Sequence, residues 1–233
     1  MALKVLIACE ESQAVCKAFR ELGHEAYSCD IQDCSGGHPE WHIQGDVLKI
    51  LNPNQISSKF YGIVFRTMDG DAHAIEGEWD LIIAHPPCTY MTKAGARWMY
   101  KRVDGKQYID ADRYWEMRKA RNFFWKIVDA RCHCICVENP RPLKICELPQ
   151  PSQIIQPYQF GHPFSKETFL WLIHLPKLNP TGIIEHHTPW MPSNTGGLSR
   201  GKGGSKGVAH NAKTASKTFP GIAKAMAEQW GHE

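Results

Sequence analysis

The chain has 233 residues, 42% of them apolar, and a formal charge of +3. That length holds one full α/β domain with a sizeable core, or two small ones, and so mild a charge confines any nucleic-acid surface to a local patch. No apolar run approaches the roughly 20 residues that span a bilayer, and the start, MALKVLIACEES, lacks the length and cleavage site of a secretory signal.

In chain order, KVLIAC (4–9) reads as a central strand. SQAVCKAFRELG follows as a helix with Ser12 as N-cap and Gly23 as its stop, and Ala14, Val15, Ala18, Phe19 and Leu22 fall on one face. HEAYSCDI is a second strand ending at Asp30, and HIQGDVL a third short element ending at Asp46. WDLIIAHPPC (79–88) is a fourth strand, 108–130 a long helical stretch, and CHCICVENP another strand. PYQFGHPFSKETFLWLIHL reads as a hairpin, and FPGIAKAMAEQW as the closing helix. There is no internal repeat. Strands alternating with helices predict an open, doubly wound, Rossmann-like α/β sheet, expected as one domain over 1–233. Ligands of such sheets sit at the carboxyl ends of the strands, and Glu10, Asp30, Asp46, Cys88 and Glu138 all lie at or just past those ends.

A nucleoside cofactor needs a turn after the first strand that backbone amides can use, and an acid after the second strand for ribose hydroxyls. Asp30 suits the ribose, and Asp46 suits an exocyclic amine such as that of adenine. The first turn, ACEES, has no glycine, and Glu10 with Glu11 would repel a phosphate but not a cationic sulfonium. The plainer reading is that both acids complement a helix N-terminus.

Leu81, Ile82, Ile83 and Ala84 are apolar without alternation, as in a strand covered on both faces. Pro86 and Pro87 then lack donors and restrict the chain, giving a rigid exit that holds Cys88 in the cleft. A fixed thiol at a strand edge reads as a nucleophile, against the plainer reading of a structural cysteine. Glu138, fifty positions on, ends a neighbouring strand. A thiol and an acid in one cleft suit covalent addition to a ring that is protonated at the same time.

PPC after one strand and ENP after a later one, in order with Asp30 and Asp46, resemble motifs of the DNA cytosine-5 methyltransferases in their short phage-type form. The resemblance implies an S-adenosylmethionine-dependent methyltransferase fold, with S-adenosyl-L-methionine or a modified sulfonium analogue as donor and DNA as partner. It implies a cytoplasmic protein of a bacterium or phage-infected host, with no membrane and no obligate protein partner. Cys88 would add to C6 of a flipped cytosine, Glu138 would hydrogen-bond N3 and the exocyclic amine, and Lys166 would contact the base or its phosphate. Cys9, Glu10, Asp30, Ile31, Asp46, Val47 and Pro86 would line the cofactor site. The sequence departs from the family pattern in ACEES, in Thr89 after the cysteine, in SKETF where two arginines flank a glutamate, and in having no room for a large recognition domain. Short sequence specificity is therefore expected.

The segment 182–217 is expected to be a DNA-contacting loop. It is glycine-rich and basic in its later part, with Arg200, Lys202 and Lys206, and no acid occurs between His186 and Ala227. KAGARWMYKR supplies Arg97, Trp98, Lys101 and Arg102 for the backbone or the vacated stack. The nine cysteines are read as reduced thiols. Cys132, Cys134 and Cys136 at period two read as buried thiols of a strand rather than a zinc site, whose pairs prefer wider spacing. Two other readings stay open. One is an enzyme of the same fold using a modified donor, or acting on a free nucleotide or RNA. The other is a non-enzymatic DNA-binding protein.

Overall fold

The computed structural model describes residues 1–92, 99–190 and 216–232. Its strands are β1 (Lys4–Ala8), β2 (Glu25–Asp30), β3 (His42–Gln44), β4 (Asn54–Ser57), β5 (Phe60–Arg66), β6 (Ala72–Glu76) and β7 (Trp79–Ala84) in the first part. Then come β8 (Tyr100–Val103), β9 (Lys106–Ile109), β10 (Cys132–Asn139), β11 (Gln153–Ile155), β12 (Phe164–Ser165), β13 (Thr168–Ile173) and β14 (Thr188–Pro189). The helices are α1 (Ala14–Glu21), α2 (Ala111–Val128) and α3 (Pro220–Trp230).

Seven strands form a mostly parallel central sheet in the order β11-β13-β10-β7-β1-β2-β3. β1, β2, β3, β7 and β10 are mutually parallel, and β13 runs against both β10 and β11. The strand alternation sends neighbouring residues to opposite faces. Val5 and Ile7 meet Val15, Cys16 and Phe19 of α1 and Ile222, Met226 and Trp230 of α3. Leu6 and Ala8 face the other cluster, with Phe124 and Ile127 of α2 and Ile63, Phe65 and Ile75 of the β4-β5-β6 sheet. Cys134 and Cys136 join the first cluster, Ile135 and Val137 the second. With both faces covered, β1 from Val5 and β7 from Leu81 read as unbroken apolar runs. No described helix is long and apolar enough to cross a membrane.

Several boundaries differ from expectation. α1 is not capped by Ser12. Gln13 occupies the N-cap with φ 57° and makes no side-chain cap, and Glu10 takes over that task. α2 starts at Ala111, because Tyr108 belongs to the β8-β9 hairpin, and Asp110 caps the helix through the Arg113 N–H at 2.8 Å. The expected hairpin over 157–175 does not form. Pro157 and Pro163 lack ladder donors, so β13 pairs instead with β10 and with β11 upstream. β12 pairs with β14. Gly36 is needed where the chain folds back after β2, since a Cβ there would meet the Gln13 side chain at 2.5 Å.

Candidate active site

Strand register places the site. Ala8 lies opposite both Cys29 and Ala84, and Val137 lies opposite Ala84. One step outward, Asp30, Cys9, His85 and Glu138 therefore end or leave four adjacent strands at one level. The chain runs from β1 to β2 on one side and places β7 and β10 on the other, so this row straddles the reversal point at which doubly wound sheets bind ligands.

The β1-β2-β3 half of the row is open. Cys9 turns off the strand with φ 60°, a left-handed conformation that is unusual outside glycine. Burial raises its thiol pKa, with the charges of Asp30 and Asp46 adding to the rise. Asp30 is half-buried, and its Oδ1 accepts the Gln32 N–H at 2.9 Å, leaving Oδ2 without a hydrogen bond to the described residues. Ile31 beside it is 76% exposed, an apolar surface the size of a ring edge. Asp46 is exposed and caps a short 3-10 turn through Leu48 N–H at 3.0 Å. Val47 instead packs its side chain in the core, so only its backbone faces the edge.

Glu10 departs from its expected cofactor role. It is 4% exposed, and its two oxygens take the N–H groups of Val15 at 2.7 Å and Cys16 at 3.2 Å. The residue caps α1 from outside the helix, the plainer of its two readings. Burial raises its pKa against the opposing pull of His85 and those amides.

The β7-β10 half is buried and paired. The His85 N–H continues the ladder to Ala8 O at 2.9 Å. Its Nδ1 lies 3.2 Å from Glu138 Oε2, with the two side chains 10% and 13% exposed. Asn139 donates to Pro86 O at 3.0 Å, tying the proline exit of β7 to the end of β10. Pro86 is therefore buried and its carbonyl used. Cys88 sits past the prolines in a turn closed by Met91 N–H and Thr92 N–H to its carbonyl, at 3.0 and 3.2 Å. Arg113 fixes the same turn, donating to Thr89 O at 2.7 Å and lying 4.2 Å over the Tyr90 ring.

Charge binds this group together. Burial pushes the Cys88 thiol above its ordinary pKa and the Glu138 charge adds to the rise, against Lys166 and a Thr92 hydrogen bond. Burial would raise Glu138 too, but the His85 hydrogen bond and the charges of Lys166 and His85 outweigh it and hold the carboxyl low. Burial would lower His85, yet Glu138 and Glu10 hold it above the usual imidazole range. Lys166, half-buried just before β13, thus shares one electrostatic neighbourhood with Cys88, Glu138 and His85. Both shifts act in one sense: they favour the protonated thiol at Cys88 and the ionised carboxylate at Glu138.

Of the expected nucleic-acid contacts, Arg97, Trp98, Arg200, Lys202 and Lys206 lie outside the described residues. Lys101 and Arg102 sit on exposed β8. Lys101 is not a free cation, because Asp110 pairs with it. A groove of about 700 Å³ opens there, lined by Tyr90, Tyr100, Lys101, Asp110 and Arg113, next to the Cys88 turn. Sequence reasoning gave no role of their own to His85, Asn139 and Arg113. The local signal for His85 was adjacency to PPC, and Asn139 is the middle residue of ENP.

No model of a known protein family matches the chain, and no curated protein matches it significantly.

Proposed function

We propose that the chain is a DNA cytosine C5 transferase with an S-adenosylmethionine-dependent methyltransferase fold. The observation that carries this reading is the coupling of Cys88, on the loop beyond β7, to Glu138 at the end of the adjacent β10, with Asp30 on the same row three strands from Glu138. The order β3-β2-β1-β7-β10 supports it, being the 3-2-1-4-5 order of doubly wound sheets that take nucleoside cofactors.

The residues at the β1-β2-β3 edge fit such a cofactor. Asp30 Oδ2 is available to ribose hydroxyls, Ile31 to a ring face, and Asp46 to an exocyclic amine. When bound, S-adenosylmethionine supplies an electrophilic methyl group. With no phosphate to repel, the carboxyl of Glu10 is tolerated beneath the turn.

The protein's own part is proton transfer and addition. A cytosine swung out of the stack enters between Cys88 and Glu138. The thiol proton passes to the Glu138 carboxylate and on to N3 as sulfur bonds to C6, and the C5–C6 π electrons become available at C5. No outside proton is required, because the nucleophile and the activated ring arise from one transfer. After C5 has gained its new group, a base takes the C5 proton. The double bond re-forms, sulfur leaves, and the N3 proton returns through Glu138. Lys166 steadies the negative charge as it moves between sulfur and carboxylate.

Incubation with DNA and S-adenosylmethionine should yield a C5-modified cytosine by nucleoside mass spectrometry. DNA containing 5-fluorocytosine should trap the protein covalently. Neither product nor adduct, with cofactor binding intact, would sink the reading.

A further inference from the structure

We infer that His85 is a positioning residue for Glu138, holding one carboxylate oxygen in the core so that the other faces the substrate ring. The inference rests on the proposed cytosine chemistry. His85 follows the last residue of β7, and its backbone is fixed by the bond to Ala8 O at 2.9 Å. Register brings it level with Glu138, and Nδ1 meets Oε2 at 3.2 Å. Among the described residues the ring has no other hydrogen bond, for Nε2 is buried and finds no partner there. A buried imidazole kept only for packing leaves that nitrogen unsatisfied at a cost. Here the ring's one bond goes to the acid that the reaction uses.

The charged and titratable groups around the ring come from each neighbouring segment. They are Glu138 on β10, Glu10 after β1 and Lys166 before β13, and Cys88 on the loop beyond β7 is coupled to two of these, Glu138 and Lys166. The two carboxylates favour the imidazolium, and Lys166 opposes it. With His85 donating to Oε2, Oε1 is the oxygen left for the thiol proton and N3. Without that donor, Glu138 is free to turn towards Lys166, and it also loses the group that keeps it ionised and ready to accept the thiol proton.

The test compares His85→Leu with His85→Asn, whose amide nitrogen stands near the place of Nδ1. In single turnover on DNA with S-adenosylmethionine, His85→Leu should lose about a hundredfold in rate while cofactor affinity stays within about twofold. His85→Asn should recover most of the rate. The acid limb of the wild-type pH profile should move to higher pH in His85→Leu, because Glu138 then protonates more readily. By NMR, the His85 ring should titrate above a free histidine in wild type and fall in Glu138→Gln. A folded His85→Leu protein with wild-type rate and an unmoved acid limb would overturn the inference. So would a His85 titration indifferent to Glu138→Gln. A wild type that never forms the 5-fluorocytosine adduct, with the titration shift intact, would overturn the cytosine reading and leave the His85–Glu138 pairing supported.

Discussion

The two halves of the sheet's carboxyl edge are built from the same kinds of residue to opposite effect. On the β1-β2-β3 side, Asp30 is half-buried and Asp46 exposed, and each spends one oxygen on the turn that presents it. On the β7-β10 side, Glu138 and His85 are nearly buried and answer each other. A carboxylate with an oxygen open to solvent can take a hydrogen bond from a ligand and release it again. A buried one is poised by its partners, and its proton state changes when those partners change. Under the proposed function, the difference puts binding on one side of β1 and proton chemistry on the other, although the two sit on one row.

The strongest way to break that division is to cross its effects. Cys88→Ala should abolish turnover and the 5-fluorocytosine adduct while leaving S-adenosylmethionine affinity nearly unchanged by calorimetry. A large loss of affinity would mean the two halves are not separable. Asp30→Ala should do the reverse. It should weaken cofactor binding by roughly 1–3 kcal/mol if a hydrogen bond to the ligand is lost, and leave the pH profile of Cys88 alkylation by iodoacetamide where it was. Asp46→Ala should act in the same direction and less strongly, its carboxylate being exposed.

Glu10 sharpens the comparison because it lies at the boundary. Glu10→Ala should lower unfolding stability by about 0.5–2 kcal/mol, the cost of a lost helix cap, as read in urea melts. A cofactor role would instead appear as lost affinity with stability unchanged.

The smallest expected effect is in stability against pH. The folded Glu138 pKa is lowered, so its contribution is present above the unfolded value of about 4.3 and is lost as pH falls through the folded one. The folded His85 pKa is raised, so its contribution is full below about 6.5 and is lost as pH rises through the folded value. The pair should therefore stabilise most between about pH 4.3 and 6.5. Glu138→Gln should flatten that window in urea melts taken across pH, with Glu10, Lys166 and Cys88 left in place around the ring. A window of unchanged depth would show that the pair contributes nothing to folding.

Local chemistry was legible wherever a segment carries its own signal. The apolar runs of β1, β7 and β10 announce strands buried on both faces, and Pro86 with Pro87 announces the end of β7. The closing helix was marked by its apolar face and by Pro220 at its first position. Other elements left no such trace. β4 and both strands of the β8-β9 hairpin are exposed along their whole length. Their ladders are backbone hydrogen bonds, which any side chain permits, so no alternation marks them.

The sequence by itself determined that acids and a thiol stand at strand ends, because strand ends and turns are set by residues close in the chain. Which of those groups meet was decided by tertiary structure alone. His85 and Glu138 are 53 positions apart, and only the register of β7 against β10 makes them level. ACEES left both readings of Glu10 open, a cap on α1 or a group facing the cleft. The cap follows from a helix that starts on a left-handed Gln13 with no cap of its own. Pairing register and burial are properties of the assembled sheet, and they fix which carboxylate stays solvated and which is poised to carry a proton.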